Sequence, residues 1–271
     1  MTPTKKELLH VALTAARKAA EFIRQESHKV HRVDFKGTSD LVTRVDRGSE
    51  QIILDQLERH FPDHGILTEE SDGKAGESAY RWIVDPLDGT TNFVHRYPFY
   101  AVSIAVHFED TPIVGVIADV YHRQTYWATE GGGAFRDGES MAVSRTRKLE
   151  HAILSTGFPY VHDEVWARNF DYLRVLKDKS QGVRRGGAAA IDLAFVSCGW
   201  LDGFWEFGLK PWDQAAGALM VQEAGGRVSR ANGPEFSVFD PEIVATNGYL
   251  HEEILRAMKS VTAEAKVRKR K

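Results

Sequence analysis

The 271-residue sequence predicts a mixed α/β fold of the α+β kind, arranged in two lobes. Three observations lead there. Between residues 65 and 133, short apolar runs alternate with turn residues, the pattern of an antiparallel, hairpin-rich sheet. Beyond a polar, basic stretch at 144–150, strand-like and helix-like segments alternate. Ahead of both lies an amphipathic helix. The shift in composition near 144–150 sets the expected division: an N-terminal lobe over 1–145, a C-terminal lobe over 146–262, and a basic tail over 263–271. A chain of this length can bury a sizeable core.

The elements follow in order. Thr4, with Glu7 three residues later, matches a capping box, and Leu8, Ala12, Ala15, Ala19, Phe22 and Ile23 then recur at helical spacing. Lys36, Gly37, Thr38 and Ser39 read as an exposed loop. A second helix is expected from Asp46 to about His60, with Ile53 and Leu57 facing inward. Strands are expected at 65–68, 82–85, 101–108, 113–120 and 126–128, the last followed by the turn Gly131-Gly132-Gly133. In the second lobe, 187–198 reads as a helix of small residues, 212–223 as another helix, 243–246 as a late strand and 250–259 as a last helix.

Composition narrows the function classes. The chain is 42% hydrophobic and 27% charged, values of an ordinary globular protein and not of a disordered one. A formal net charge of −3 gives no global field toward nucleic acid, so no such partner is expected. No run of about 18 apolar residues suggests a membrane span. Cys198 is the one cysteine, which builds no disulfide framework and fits a reducing compartment. Lys5, Lys6 and Glu7 stand where a signal peptide would be apolar, and the expected location is cytoplasmic.

The chemistry is concentrated in Trp82-Ile83-Val84-Asp85-Pro86-Leu87-Asp88-Gly89-Thr90-Thr91-Asn92-Phe93. A buried apolar run ends in a carboxylate, Pro86 fixes a turn, and a second carboxylate follows. Gly89 permits an unusual backbone angle or a close approach, and the threonines cap a following helical turn. Two carboxylates beside free backbone N–H groups suit a hard divalent cation and a phosphate respectively. Taken alone, the same residues form an ordinary β-turn closed by aspartates. Three further segments shift the balance: Thr68-Glu69-Glu70-Ser71 at another strand end, Asp46 after Asp40-Leu41-Val42-Thr43-Arg44-Val45, and Trp212-Asp213-Gln214-Ala215-Ala216-Gly217 opening a helix. Asp46 and Asp213 also read as N-caps, and Glu69 and Glu70 as a solvated strand end.

Together these segments resemble the inositol monophosphatase family, within the metal-dependent, lithium-sensitive sugar phosphatases. Asp85 through Phe93 is similar to the first family signature. Trp212 through Gly217, followed by Glu223-Ala224-Gly225-Gly226, is similar to the second, about 125 residues on. The resemblance implies a layered αβαβα sandwich with the active site between two lobes. It implies Mg²⁺ held by Glu69, Asp85, Asp88, Asp213 and the carbonyl of Leu87. Glu69, and Thr90 paired with Asp46, would serve catalysis by activating and orienting a water. Gly89, Thr90 and Thr91, with Asp88, would hold the phosphate. Gly187, Ala188, Ala189, Glu206 and Asp213 would line the substrate pocket, and Lys36 would lie in a loop near a weak metal site. Lys210-Pro211 depart from the animal members of the family.

The implied reaction is hydrolysis of a small phosphorylated polyol or sugar, inositol 1-phosphate first, by metal-activated water and with no covalent protein intermediate. A homodimer is also implied, and zinc is not expected. The same fold would serve a fructose-bisphosphatase, a histidinol-phosphatase or a nucleoside bisphosphate phosphatase with an altered pocket. A non-catalytic interaction protein on this scaffold is the alternative of a different class.

Overall fold

The runs of alternating residues pair into two sheets, and the helical segments fill the layers around them. In the computed structural model, residues 2–29, 33–35 and 41–268 are described. Helix α1 (Lys5–Glu26) starts at the capping box Thr4/Glu7. A short hairpin, β1 (Val33–Phe35) and β2 (Leu41–Thr43), leads into α2 (Arg44–His60). Lys36 and the rest of the expected 36–39 loop lie outside the described residues.

The seven-stranded sheet comprises β3 (Gly65–Thr68), β4 (Tyr80–Asp88), β5 (Ala101–Phe108), β6 (Thr111–Asp119), β7 (Gln124–Thr129), β8 (Gly133–Arg136) and β9 (Glu139–Ser140), in that spatial order. Helix α3 (Thr90–Val94) separates β4 from β5. Only β3 and β4 are parallel; the other pairs are antiparallel, as the hairpin pattern requires. The second sheet follows: β10 (Ile153–Thr156), α4 (Glu164–Lys179), β11 (Gly182–Arg184), α5 (Ala189–Ser197), β12 (Gly203–Phe207), α6 (Pro211–Glu223), β13 (Arg227–Ser229), β14 (Glu242–Thr246) and α7 (His251–Arg268). Its strand order is β11-β10-β12-β14-β13, with β10 parallel to β11 and β12 and the remaining pairs antiparallel.

The alternation of side chains decides the layers. Trp82, Val84, Val102, Ile104, Val106, Val114 and Val116 face the α1–α2 layer, where Leu8, Ala12, Ala19, Ile53 and Leu57 meet them. The opposite side chains, Ile83, Ala101, Ala105 and Ile117, meet α5 and α6. Those helices present their other faces to the second sheet through Leu193, Val196, Ala218 and Val221 against Phe204, Ile243 and Ala245. Helices α4 and α7 cover its far side, with Tyr172, Leu176, Ile254 and Met258 around Trp205 and Val244. The result is the five-layered αβαβα arrangement. Small residues let the middle layer close: a Cβ at Gly115 would stand 2.8 Å from the Ala216 carbonyl oxygen, and one at Gly217 would overlap Leu193.

Two expectations need correction, and one stretch gains an assignment. Asp46 and Asp213 are not N-caps; Thr43 and Lys210 hold those positions, and each aspartate is the third helical residue, accepting from the cap's backbone N–H. The last helix runs past the expected 259 to Arg268, so the start of the supposed tail continues it, and 269–271 lie outside the described residues. The stretch 164–179, which carried no assignment, is a full helix whose N-cap is Asp163.

Candidate functional site

The site is assembled around the end of β4. Pairing with β5 runs in register to Asp85 opposite Ser103, then slips, and Asp88 stands opposite Ala101. Pro86, which has no N–H to donate, sits in the irregular stretch. The slip keeps both aspartates buried at 1% and 9% exposure, so neither is a solvated turn residue. The Pro86 carbonyl accepts from Ser49 Oγ at 2.7 Å, and Asp85 Oδ1 accepts from the Leu87 N–H at 3.0 Å, which fix the loop from both sides. Gly89 then takes φ 89°, and a Cβ there would stand 2.9 Å from the Phe99 carbonyl oxygen and 3.3 Å from Ala188 Cβ. Glycine is required on both counts.

The expected residues come together from both halves of the chain. Thr90 Oγ1 donates to Asp46 Oδ1 at 2.7 Å across 44 residues of sequence, and it lies 3.1 Å from the Leu87 carbonyl oxygen. The other oxygen of Asp46 accepts from Thr43 N and Thr43 Oγ1, each at 2.7 Å, so the α2 capping box sets its orientation. Asp88 Oδ2 accepts from the Ala190 N–H at 2.8 Å, tying the β4 end to the start of α5. Asp213 Oδ2 accepts from the Lys210 N–H at 2.7 Å at the start of α6. Gly187, Ala188 and Ala189 pass beside Gly89, held there by Asn92, whose amide donates to the carbonyls of Phe99 (2.7 Å) and Gly186 (3.0 Å). Thr91 is half-buried next to Thr90 on α3. Glu69, half-buried just beyond β3, faces Asp85, Asp88 and Asp213 electrostatically.

The electrostatics are those of crowded carboxylates. Burial, followed by the charges of Glu69, Asp88 and Asp213, pushes Asp85 well above the ordinary carboxylate range. Burial likewise raises Asp88 to about 7, opposed by the Ala190 N–H and assisted by Asp192 and Glu69. Asp213 is raised by burial and by Asp88 and Glu69, against the Lys210 N–H. Among the described residues, no three acids are drawn together into a ready cage for a metal ion. They are close enough to repel one another and offer only oxygen donors, which is the chemistry a hard divalent cation fits. His60 and His64 do stand four residues apart, a spacing that suits zinc on a helix face. Here α2 ends at His60, and His64 Nδ1 is taken by Trp82 Nε1 at 3.1 Å, so the pair is structural.

Glu206 lies on β12 between Trp205 and Phe207, both of which point into the core on the α4–α7 side. Its side chain takes the other face, toward the site, as strand alternation requires. Burial and then Asp213, Asp192 and Asp88 raise its pKa well above normal, while Arg185 opposes them. A Cβ at Gly157 would overlap the Glu206 carboxylate, so this glycine makes the room in which Glu206 sits.

Sequence reasoning missed several members. Asp192 is 3% exposed, accepts from Ser155 Oγ at 2.8 Å and is raised by burial to about 7. Its signal was visible: one acid in the apolar run Ala188-Ala189-Ala190-Ile191-Asp192-Leu193-Ala194. Glu50, buried on α2, accepts from Thr68 Oγ1 (2.6 Å) and the Glu70 N–H (3.2 Å), and so holds the strand end that carries Glu69. Gly157 and Glu50 left no local signal.

Comparison with known proteins agrees with this architecture. The model of the inositol monophosphatase family matches residues 4–263. An inositol-1-monophosphatase of Synechocystis is 43% identical over 233 residues, covering 85% of this chain and 81% of that protein. The Nus factor SuhB of Escherichia coli K12 is 39% identical over 261 residues, 95% of this chain and 98% of its own. The crystal structure of the extragenic suppressor protein suhB from Bartonella henselae superposes with a TM-score of 0.90 at 40% identity, covering 93% of this chain and 98% of that one.

Proposed function

The chain belongs to the inositol monophosphatase family, and on that premise we propose that it is a Mg²⁺-dependent phosphatase of small phosphorylated polyols, with inositol 1-phosphate as the leading substrate. The observation that carries the reading is the approach of Glu69, Asp85, Asp88 and Asp213, brought from the end of β3, from β4 and from α6, where the charge of Glu69 adds to burial in raising all three aspartates. Evolution toward stability alone would not bury such a set.

In this reading Glu69, Asp85, Asp88, Asp213 and the Leu87 carbonyl hold the divalent cations. When bound, the ions supply Lewis acidity toward water and positive charge beside the departing oxygen. The protein does the positioning. Asp46, fixed by Thr43, accepts the Thr90 hydroxyl proton, which leaves a Thr90 lone pair to accept from and orient the attacking water. The first N–H groups of α3, after the positive-φ Gly89, face a phosphate oxygen. Glu206 accepts from a substrate hydroxyl beyond the phosphate, with Gly187, Ala188 and Ala189 shaping the pocket wall. Association into a homodimer is part of the same proposal, as is the division of labour between an N-terminal lobe (1–145) and a C-terminal lobe (146–262).

The test is phosphate release from inositol 1-phosphate, fructose 1,6-bisphosphate, histidinol phosphate and 3′-phosphoadenosine 5′-phosphate, with Mg²⁺ and after chelation. Inositol 1-phosphate should turn over fastest, and chelation should abolish release. Undiminished release after thorough chelation overturns the metal reading. A preference for another ester reassigns the substrate. No release from any ester would move the protein to a non-catalytic interaction role on this scaffold.

A further inference from the structure

A groove of about 380 Å³ lies between the C-terminal half of α1, Phe93 of α3 and the loop after it, and the β6–β7 turn. Three arginines line it: Arg24, Arg96 and Arg123. Arg24 is satisfied, donating through Nε and Nη2 to Glu21. Among the described residues, the guanidiniums of Arg96 and Arg123 make no hydrogen bond or ion pair, while the Arg96 backbone N–H closes the end of α3 on the Phe93 carbonyl. Both arginines also adopt positive φ, 57° and 59°. A long side chain rarely takes that conformation, which glycine or asparagine fills without strain. Two turns of one groove thus keep an arginine where the backbone favours something else; neither guanidinium is hydrogen-bonded among the described residues, and the charge of Arg123 is felt only at longer range by Glu21. The ring of Tyr121, 57% exposed, stands beside them. Among the described lining residues Glu21 is the one carboxylate against three arginines, an excess of positive charge on a chain whose net charge is −3.

We propose that this groove is a second anion site, which binds a compact polyanion carrying two phosphoryl groups between Arg96 and Arg123. The cavity is of small-molecule size, not an extended track for a polymer. Each unpaired guanidinium engages one phosphoryl group through paired N–H donors, the geometry for which arginine is suited. Phe93, on α3, forms part of the wall, so the bound anion rests against the helix that carries Thr90 and Thr91.

Inorganic pyrophosphate is the probe, titrated calorimetrically into metal-stripped protein in a chelator-free buffer of low ionic strength. Without cations the crowded acids repel the anion, so the titration reports the groove. One pyrophosphate per chain is expected, bound more tightly than inorganic phosphate, which meets one guanidinium at a time. The Arg96→Gln/Arg123→Gln double variant should weaken binding at least about tenfold, whereas Arg145→Gln, outside the groove, should leave it unchanged. Arg123→Gly guards against a folding artefact, because glycine suits φ 59°: its melting temperature should not fall while its affinity does. No binding, equal affinity for phosphate and pyrophosphate, or unchanged affinity in the arginine variants would each overturn the proposal.

Discussion

Strand β4 has two halves that are equally buried and opposite in purpose. Trp82 and Val84 are at 0% exposure against α1, α2 and the neighbouring strands, and each apolar group removed from water there favours the fold. Asp85 and Asp88, at 1% and 9%, lie one turn of chain further on, where burial and mutual repulsion oppose the charged forms. The same depth stabilises one half and strains the other. The fold is held by the first, and the chemistry we propose is held by the second. Substitutions in the two halves should therefore move different observables.

The largest separation is expected from Asp88→Asn and Asp213→Asn. Each removes charge from the proposed cation site and should lower turnover at least about 10²-fold while leaving the circular dichroism spectrum unchanged. Normal turnover in either variant would reduce that aspartate to its local hydrogen bond. The core counterpart is Ile104→Ala, opposite Val84 in the β4–β5 ladder. It should cost about 2–5 kcal/mol of unfolding free energy, read by urea denaturation, with KM unchanged in the folded enzyme. A shift in KM would show that the two halves are not independent.

Glu206 offers an intermediate case. Glu206→Gln keeps the size and removes the charge, and should lower kcat/KM for a cyclic polyol phosphate about 10- to 100-fold. p-Nitrophenyl phosphate, which lacks the extra hydroxyl, should be nearly unaffected. Gly157→Ala sharpens this, since its methyl displaces the Glu206 carboxylate, the free end of a side chain, and leaves the backbone in place. The same selective loss is expected. Equal loss on both substrates would assign Glu206 to the metal site or to the fold.

The smallest effect is on stability against pH. Asp88 has a folded pKa of about 7 against an ordinary 3.8, so between those values the native state binds more protons than the unfolded chain. Its contribution to stability therefore falls as pH rises through that window. His107 and His251, lowered to about 4 mainly by burial, act in the opposite sense, so wild type alone is ambiguous. The difference between metal-free wild type and Asp88→Asn isolates the aspartate. The variant should melt about 2–4 °C higher than wild type at pH 7.5, for about 1 kcal/mol relieved, and the gap should shrink at pH 5. A gap independent of pH would mean that Asp88 is not held against its charge.

Sequence periodicity carried far in this molecule because most strands lie in hairpins whose turn residues are local. The expected 101–108 coincides with β5, and 243–246 differs from β14 by one residue. Both signature segments fall at the site because each is a continuous run in which the carboxylates are fixed by neighbours a few residues away, as in Leu87 N to Asp85 and Lys210 N to Asp213. The helix over 164–179 escaped, since its buried positions include Asn169 and Tyr172 and its outer aromatics blur the apolar stripe. Asn169 itself is buried to bridge Trp205 Nε1 and the Gly157 carbonyl, a role set by a strand 36 residues away.

The sequence by itself determined the residue types of the acid set, the turn that presents Asp85 and Asp88, and the helix that opens beside Asp213. Those are short-range matters of dihedral angle, capping and spacing. Tertiary structure alone decided which acids share a field, that Glu50 steadies the strand end before Glu69, that Asp192 joins the cluster from an apolar helix, and that Gly157 opens the space for Glu206. Those depend on the stacking of two sheets about α5 and α6, and burial and charge act through space, whatever the separation along the chain.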